Sequence, residues 1–501
     1  KSNMPGPRLL VSIAILLFAT CSRCSASDND TTPSTTSMSA PVEKSETTEQ
    51  PLESAPTLCN ICSCTDDSVN CTKLALENHF QDSQWPSNPL EEVNFGGNNL
   101  IHIKPFPNVT INRLILGNNR ITKIDDKAFK EIRNLTELDL SHNQLTSELF
   151  SPHIFEGRYS TAKYEPLAYL RVLNLASNIL HTLKQDVFEH VTSLRVLILS
   201  GNPLGVIDNG MTDAISELLL LEELDLSYCD LTFLLYFFHL SSSHLKRLNL
   251  SGNRFVTPPN SLKHCKSLEY LSLDENPFAI LDSSSAFTIM PSLKELSLCC
   301  MPHLTFVGPN VFSELTALER LTLQNCPVLK EINENALVKQ TEEGAIWPPL
   351  KSLKLSDNSL RYLPAGLVGR WDRLEKLDII NNKWSCDCDN QYLVGNLLPN
   401  LGKSLMGSEV DKLKCSAPPE HAGKNLASLA KRKLRCVDRY GARPERDAAI
   451  LVGITIGLLL AIPVALTLFV FWRRGFFFCG SQGPATFSRA FYKRAAPDDD
   501  I

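Results

Sequence analysis

The sequence predicts an α/β solenoid, in which stacked repeats place parallel β-strands on a concave face and irregular segments on a convex side. Three observations predict this fold, with disulfide-bonded caps and one transmembrane helix added to it. A leucine-based motif recurs twelve times between residues 90 and 385, cysteine clusters stand at both ends of that region, and 25 uncharged residues follow later. Because one coil cannot bury its own leucines, the copies must stack and share a core.

The motif is L-x-x-L-x-L-x-x-N-x-L, which is the leucine-rich-repeat pattern, and most copies start 21 to 27 residues apart. The twelve copies start at Leu90, Ile111, Leu135, Leu170, Leu194, Leu221, Leu245, Leu268, Leu293, Leu318, Leu350 and Leu374. Alternating leucines such as Leu224 and Leu226 are expected to point into the core, while Asp225 points outward. Phenylalanines that follow the turns predict a spine on the convex side; they are Phe129, Phe155, Phe188, Phe287 and Phe312.

The ninth residue of each copy is expected to turn inward and to satisfy backbone groups of neighbouring coils. These structural ladder residues are Asn98, Asn119, Asn143, Asn178, Asn202, Cys229, Asn253, Asn276, Cys326, Asn358 and Asn382, and Met301 holds the position once. A thiol is small, tolerates burial and is a weak donor, so Cys229 and Cys326 are interpreted as inert ladder residues rather than reactive groups or metal ligands. A disulfide among Cys265, Cys299 and Cys300 is left open by the sequence.

The segments outside the repeats indicate an exported, membrane-anchored chain. Residues 1–26 are predicted to be a signal peptide, because the apolar core Leu9 to Ala19 is too short to span a bilayer. Residues 27–58 form a Ser/Thr/Pro-rich leader that cannot build a core. After a linker at 437–447, residues 448–472 are long enough to cross a membrane, and 473–501 form a tail. Basic residues flank both sides of the span, so the signal peptide predicts a single-pass type I protein of the plasma membrane, with its N-terminus extracellular.

Two cysteine clusters bracket the repeats and predict an N-terminal cap at 59–89 and a C-terminal cap at 386–436. The clusters contain Cys59, Cys62, Cys64 and Cys71 before the repeats, and Cys386, Cys388, Cys415 and Cys436 after them. An exported chain can close small caps with disulfides. Zinc clusters are the alternative, which is weaker outside a reducing cell, and Cys-x-Cys is not the usual zinc-finger spacing.

Over residues 59–436, the clusters and the repeats together resemble the extracellular leucine-rich-repeat family. The resemblance implies disulfides between Cys59 and Cys64, Cys62 and Cys71, Cys386 and Cys415, and Cys388 and Cys436. Lys383 departs from the pattern, since these C-terminal caps often have proline there. Among single-pass members, the layout is similar to that of the trophoblast glycoprotein group, which implies restraint of Wnt-type signalling, or regulated adhesion and motility.

The surface carries candidate modification and binding sites. N-glycosylation sequons stand at Asn29, Asn70, Asn108, Asn134 and Asn249. The outward strand positions are mostly charged or polar, and the exceptions form a candidate binding patch of Val172, Val196 and Ile198, with Tyr228 and Tyr270 further along. Single apolar residues on a surface are also ordinary. The insert at 151–169 is the second candidate binding element.

The sequence contains no motif for catalysis, metal binding or phosphate binding, so a non-enzymatic protein with no cofactor is expected. The mild net charge of −6 argues against a nucleic-acid partner. Cys479 is a candidate palmitoylation site, and Asp499 with Ile501 resembles a ligand for a cytoplasmic PDZ-domain protein, although an acidic solubilising end is the alternative. A weak G-x-x-x-G at Gly453 and Gly457 leaves a homodimer open.

Two functions follow from these features. The first is a cell-surface protein that modulates signalling by engaging a secreted ligand or a neighbouring receptor. The second is a cell-adhesion molecule whose ectodomain binds itself or a counter-receptor, with the tail docked to a PDZ scaffold.

Overall fold

The computed structural model describes residues 57–80, 83–159, 164–165, 167–234, 244–367, 373–436 and 444–474. The predicted signal peptide, nearly all of the leader, most of the linker and nearly all of the tail lie outside the described residues. Asn29, Cys479, Asp499 and Ile501 lie outside them as well.

One long sheet runs through the twelve repeats and contains one short parallel strand from each of them. The repeat strands are Leu90–Asn94, Val109–Ile115, Glu137–Asp139, Val172–Asn174, Val196–Ile198, Glu223–Asp225, Arg247–Asn249, Tyr270–Ser272, Glu295–Ser297, Arg320–Thr322, Ser352–Lys354 and Lys376–Asp378. Equivalent motif positions pair across neighbouring strands, as Leu197 pairs with Leu224. Cap strands Ser63–Cys64 and Ser68–Asn70 extend the sheet at its start, and Ile132–Arg133 pairs with the second repeat strand. The predicted leucine-rich-repeat solenoid is confirmed.

The other elements are short and lie mostly between the repeat strands. Smaller parallel pairings join Ile280–Leu281, Phe306–Val307 and Glu331–Ile332, and also His102–Ile103 and Lys123–Ile124. Antiparallel hairpins pair Arg158–Tyr159 with Tyr164–Glu165 and Lys339–Thr341 with Gly344–Ile346. The α-helices are Asn209–Ser216, Leu398–Met406 and Pro444–Arg473. Single 3₁₀ turns occupy Leu58–Asn60, Pro152–Phe155, Asn260–His264, Cys388–Asn390, Gly407–Lys412 and Leu426–Leu429, and a π turn occupies Leu393–Leu397.

The core is a column of leucines backed by phenylalanine rings. The motif leucines are buried, and so are all five phenylalanines expected in the spine. Phe106 and Phe155 stack on opposite sides of Phe129, with ring centroids 6.1 and 6.3 Å away, and Phe287 packs against Phe312 at 5.6 Å. These ring contacts join repeats one to three and repeats eight and nine, and so help to hold those successive repeats together.

The ninth-position residues form a hydrogen-bonded ladder inside the coil. Asn202 is typical: its Nδ2 donates to the carbonyls of Leu175 at 2.9 Å and Leu199 at 2.8 Å, while its Oδ1 accepts the Leu180 amide at 3.1 Å. Each such asparagine links its own coil to the preceding one. Buried backbone groups at the turn are thereby satisfied without water.

Thiols take the same place in two coils. The Cys229 Sγ lies 3.3 Å from the carbonyls of Leu199 and Ser227, and that of Cys326 lies 3.4 Å from the carbonyl of Gln324. Burial raises the pKa of Cys229 to about 12 and that of Cys326 to about 11, so both thiols stay protonated at neutral pH. A protonated, buried thiol is a poor nucleophile and a poor metal ligand.

Disulfides close both caps. The bonds join Cys59 to Cys64, Cys62 to Cys71, Cys386 to Cys415 and Cys388 to Cys436, the same pairs that the family resemblance implies. Cys299 and Cys300 are bonded to each other, while Cys265 is buried as a free thiol. Adjacent cysteines were one of the pairings that the sequence left open.

One helix in the described residues is long and apolar enough to cross a membrane. It is Pro444–Arg473, and an 18-residue window within Ala448–Arg473 has a mean hydropathy of 2.7, with none of that window buried. The predicted span at 448–472 lies inside this helix, which passes through Pro463.

The N-terminal cap contains a buried histidine that makes its stability depend on pH. The His79 ring stacks on Phe106 with a centroid distance of 4.3 Å, and its Nε2 accepts the Lys104 amide at 3.0 Å. Burial, reinforced by the charges of His102 and Lys104, lowers the pKa of His79 from 6.5 to about 4. The folded cap therefore holds His79 neutral at a pH where the unfolded chain protonates it.

We expect the free energy of unfolding to fall by up to about 3 kcal/mol as the pH drops from 6.5 to 4. The unfolded state binds more protons in this window, so stability rises with pH and is complete above the unfolded pKa. The check is urea unfolding of the detergent-solubilised chain at several pH values. In the variant His79→Gln, the pH-dependent part of the stability that comes from His79 should disappear, while the glutamine amide oxygen can still accept the Lys104 N–H. His303 is exposed, so the control variant His303→Gln should keep the pH dependence of the wild type. If the stability of His79→Gln changed with pH as in the wild type, His79 would not be its source.

Candidate functional site

The face of the long sheet presents the side chains that point away from the core, and most of them are charged and paired between strands. At the third motif position, Arg113 bridges Glu92 and Glu137 at 3.0 Å each, and Arg320 binds Glu295 at 2.9 Å. Similar pairs join second-position residues of successive repeats; they are Arg195 with Glu222, Lys246 with Glu222, Lys294 with Glu269, and Lys351 with Glu319. Each exposed pair adds little stability, but together they neutralise the face.

A second polar pattern follows the fifth motif position. There an Asn or Asp Oδ1 accepts the amide two residues later, at distances between 2.8 and 3.4 Å. The residues that do so are Asn94, Asp139, Asn174, Asp225, Asn249 and Asp378. Such a side chain caps the end of its strand where the backbone turns inward. The sequence analysis did not identify this role.

Both patterns are interrupted together on repeats four and five by three aliphatic residues, which we call the aliphatic patch, whereas Ile115 of repeat two interrupts the fifth position alone. Val172 pairs in register with Val196, and Ile198 stands opposite Asn174. The two valines take the third position between Glu137 and Glu223, where neighbouring repeats have ion-paired charges, and Ile198 takes the capping fifth position. All three side chains are half-buried. Neither strand pairing nor the turn requires an apolar side chain at these places.

Two arginines border the aliphatic patch. Arg171 and Arg195 precede its valines and are both exposed. Arg195 is paired with Glu222, which belongs to the next repeat. The patch therefore has an apolar centre bordered by two arginines, one of which is already ion-paired within the chain.

The predicted tyrosines lie apart from the aliphatic patch. Tyr270 is on the repeat-eight strand, with the Arg247 guanidinium 4.3 Å above its ring. Tyr228 is 54 % exposed and lies across Gly252, where any Cβ would collide with its ring. Partial burial and a hydrogen bond to Glu275 raise the pKa of Tyr228. Four strand spacings separate repeats four and eight, or ~19 Å, so Tyr270 lies at a distance from Val172.

The insert contributes partly to the core. Its Pro152–Phe155 turn buries Ile154 and Phe155, and Phe150 packs edge-on against Phe155 at 5.6 Å. The insert then forms the hairpin of Arg158–Tyr159 and Tyr164–Glu165. Its first part is therefore a structural extension of repeat three.

The four residues that follow each ladder residue carry a feature that the sequence analysis missed. Repeats four to eight each expose one large apolar side chain there, between 43 % and 65 % accessible, and we call this set the loop stripe. Its members are Ile179, Val206, Phe233, Val256 and Ile280. The signal was present in the sequence, because large apolar residues stand one to four places after the ladder residue, outside the leucine positions.

Four sequons fall within the described residues. Asn70, Asn108 and Asn134 are exposed, whereas Asn249 is half-buried on the repeat-seven strand. The Asn249 Oδ1 accepts the Ser251 amide at 3.1 Å and its hydroxyl at 2.7 Å. Among the described residues, no group of three or more His, Cys, Asp or Glu side chains is arranged to hold a metal ion.

Comparisons with known proteins agree with this architecture. A "Leucine rich repeat" family model matches residues 110–158 and 168–231, and a second model of that description matches 244–265. Tsukushi of Rattus norvegicus is 31 % identical over 56 % of this chain and 74 % of its own length, and Tsukushi of Gallus gallus is 26 % identical over 63 % and 80 %. Trophoblast glycoprotein of Macaca fascicularis is 25 % identical over 60 % of this chain and 61 % of its own length.

Proposed function

Because the chain belongs to the leucine-rich-repeat family, we propose that it is a cell-surface binding protein that contacts a partner protein through the aliphatic patch. One observation carries the proposal: Val172, Val196 and Ile198 interrupt both polar patterns of the sheet face at the same place. Three adjacent departures on two neighbouring strands provide the apolar centre that binding surfaces need.

The surroundings of the patch indicate the chemistry of the partner. The apolar centre favours aliphatic or aromatic side chains, and the exposed Arg171 and Arg195 favour carboxylates around them. Asn249 lies two strands beyond Val196, at ~10 Å, so a glycan there would restrict the footprint to the N-terminal side of repeat seven. The proposed contact is therefore centred on repeats four and five and ends before repeat seven.

The proposal extends to topology and role. An exported solenoid anchored by residues 448–472 would present the sheet face outside the plasma membrane as a type I protein. Engaging a secreted ligand or a neighbouring receptor there would modulate signalling, and we propose Wnt-type signalling, which the resemblance of the sequence implies, as the first pathway to examine.

Cell adhesion is the second candidate function, and the loop stripe favours it. Five successive repeats expose large apolar side chains outside the sheet, which supplies a second surface for self-recognition or for a counter-receptor. A PDZ scaffold bound by the tail would then connect the contact to the cell interior.

The full-length protein in lipid nanodiscs, displayed on multivalent beads, separates these functions. Beads that cluster only on cells expressing the protein would support homophilic adhesion, and beads that bind regardless of expression would support a separate receptor. Binding to neither cell type, together with no capture of secreted protein by the beads, would contradict the proposed binding function.

Polar substitution of the aliphatic patch should weaken partner binding about tenfold or more. The variant is Val172→Ser with Val196→Ser and Ile198→Asn, in which the asparagine restores the capping group used by neighbouring repeats. Bead binding over a concentration series measures the effect. Ser297→Asn is the matched control, because it places the same group at the same motif position of repeat nine. Equal binding by the triple variant and the wild type would exclude the aliphatic patch.

A further inference from the structure

A cleft lies between the last repeat and the C-terminal cap, and none of the functions above uses it. Its volume is about 470 Å³, and one wall is the strand Lys376–Asp378 with Ile380. The opposite wall is the end of the helix Leu398–Met406, with Glu409 beyond it. Seven strand spacings, or ~34 Å, separate this strand from Val196, so the cleft and the aliphatic patch are different sites.

The backbone of the cap explains why the cleft is open. Leu405 and Met406 are only 6 % and 8 % exposed, because the helix covers the leucine core at the end of the solenoid. The helix then stops at Gly407, whose φ of +59° reverses the chain. A Cβ at Gly407 would meet no atom within 4 Å. The cap therefore closes the core without reaching across the outer face of the last strand.

The walls differ in polarity. Ile380, Leu405 and Met406 supply the apolar floor. The rim has three carboxylates, Glu375, Asp378 and Glu409, and one ammonium group, Lys376.

Two of the rim carboxylates already have partners within the chain. Lys412 binds Glu409 at 2.8 Å, and the Ser356 hydroxyl donates to Asp378 at 2.9 Å. With Lys412 counted, the rim still carries one more negative than positive charge. The cleft is thus an apolar groove with an acidic rim.

We infer that this cleft binds a basic side chain, arginine or lysine, presented by an extended segment of a protein partner. The aliphatic stem would lie on the floor, and the cationic head would reach the carboxylates of Glu375 and Asp378. The volume of the cleft falls within the range of ligand pockets and is larger than the volume of one arginine or lysine side chain. An apolar residue next to the basic residue in the partner segment therefore enters the cleft as well. Lys376 repels a cation at its own edge of the cleft and so orients the segment.

Methionine methyl NMR tests this site in the full-length chain. Among the methionines of the described residues, Met406 alone lines the cleft, and Met406→Leu assigns its signal. The probe is acetyl-Leu-Arg-Leu-amide, with the Gln and Glu tripeptides as comparisons. The Met406 signal should shift saturably with the Arg peptide, which should bind about fivefold or more tightly than the Gln peptide. No shift, or equal shifts with all three peptides, would overturn the inference.

Removing the rim charge completes the test. Glu375→Gln with Glu409→Gln neutralises the exposed Glu375 and the half-buried Glu409 while retaining the floor, and should weaken binding of the Arg peptide about fivefold. Unchanged affinity in this variant would overturn the proposed role of charge. The triple variant of the aliphatic patch should bind the Arg peptide normally, so failure of one site is distinguishable from failure of the other.

Discussion

Replacing Phe129 with alanine is expected to lower the free energy of unfolding by about 3–5 kcal/mol. The ring is fully buried and packs against both Phe106 and Phe155. Its loss removes apolar burial and leaves a cavity between repeats. Urea unfolding of the detergent-solubilised chain measures the change.

The loss of stability in Phe129→Ala is also expected to be confined to the repeats around the substitution. Each repeat contacts only its neighbours, so amide hydrogen exchange should accelerate first in repeats one to three. Phe129→Leu is the matched control and should cost about 1 kcal/mol, because it retains most of the buried volume. Comparable losses for alanine and leucine would show that ring packing does not hold these repeats together.

Replacing Asn202 with alanine is expected to lower the free energy of unfolding by about 3 kcal/mol, more because hydrogen bonds are lost than because packing is lost. The side chain is fully buried, and its removal withdraws the partners of the Leu175 and Leu199 carbonyls and of the Leu180 amide. A buried group left unpaired costs about 1–3 kcal/mol. Urea unfolding gives the total, and hydrogen exchange at Leu180 reports the lost amide bond directly.

Cys229→Ala provides the comparison within the same ladder. The thiol is a weak donor, and the variant keeps the bond in which the Asn253 Oδ1 accepts the backbone amide of residue 229, at 3.1 Å in the wild type. We therefore expect the free energy of unfolding to fall by about 1 kcal/mol. If Cys229→Ala cost as much as Asn202→Ala, side-chain volume rather than hydrogen bonding would govern the ladder position.

The periodic part of the fold could be predicted from the sequence because its physics repeats. Every coil has the same burial problem, so Leu224, Leu226 and the ladder residue recur at fixed spacing and give the strand and the turn. The sheet face was partly predictable for the same reason: alternation identifies Val172, Val196 and Ile198 as outward-facing. Which of these touch depends only on register, and the structure aligns equivalent motif positions.

Several missed features depend on contacts that the spacing of leucines does not specify. Tyr228 has a φ of +54°, and its ring crosses Gly252 toward Glu275, two repeats away. An outward position alone does not show that crossing. The cleft of the C-terminal cap depends on where a helix stops at Gly407, and the capping role of Asn174 depends on a local side-chain bond to the backbone.

The ion pairs of the sheet face impose a rule of parity on the number of repeats. From repeat five to repeat twelve, the second-position residues alternate in sign without exception; they are Arg195, Glu222, Lys246, Glu269, Lys294, Glu319, Lys351 and Glu375. Excising one interior coil of this run would place two like charges side by side, as Glu222 beside Glu269. Excising two consecutive coils would restore the alternation. Although each pair is weak, the solenoid can be shortened or lengthened here without electrostatic penalty only by an even number of coils.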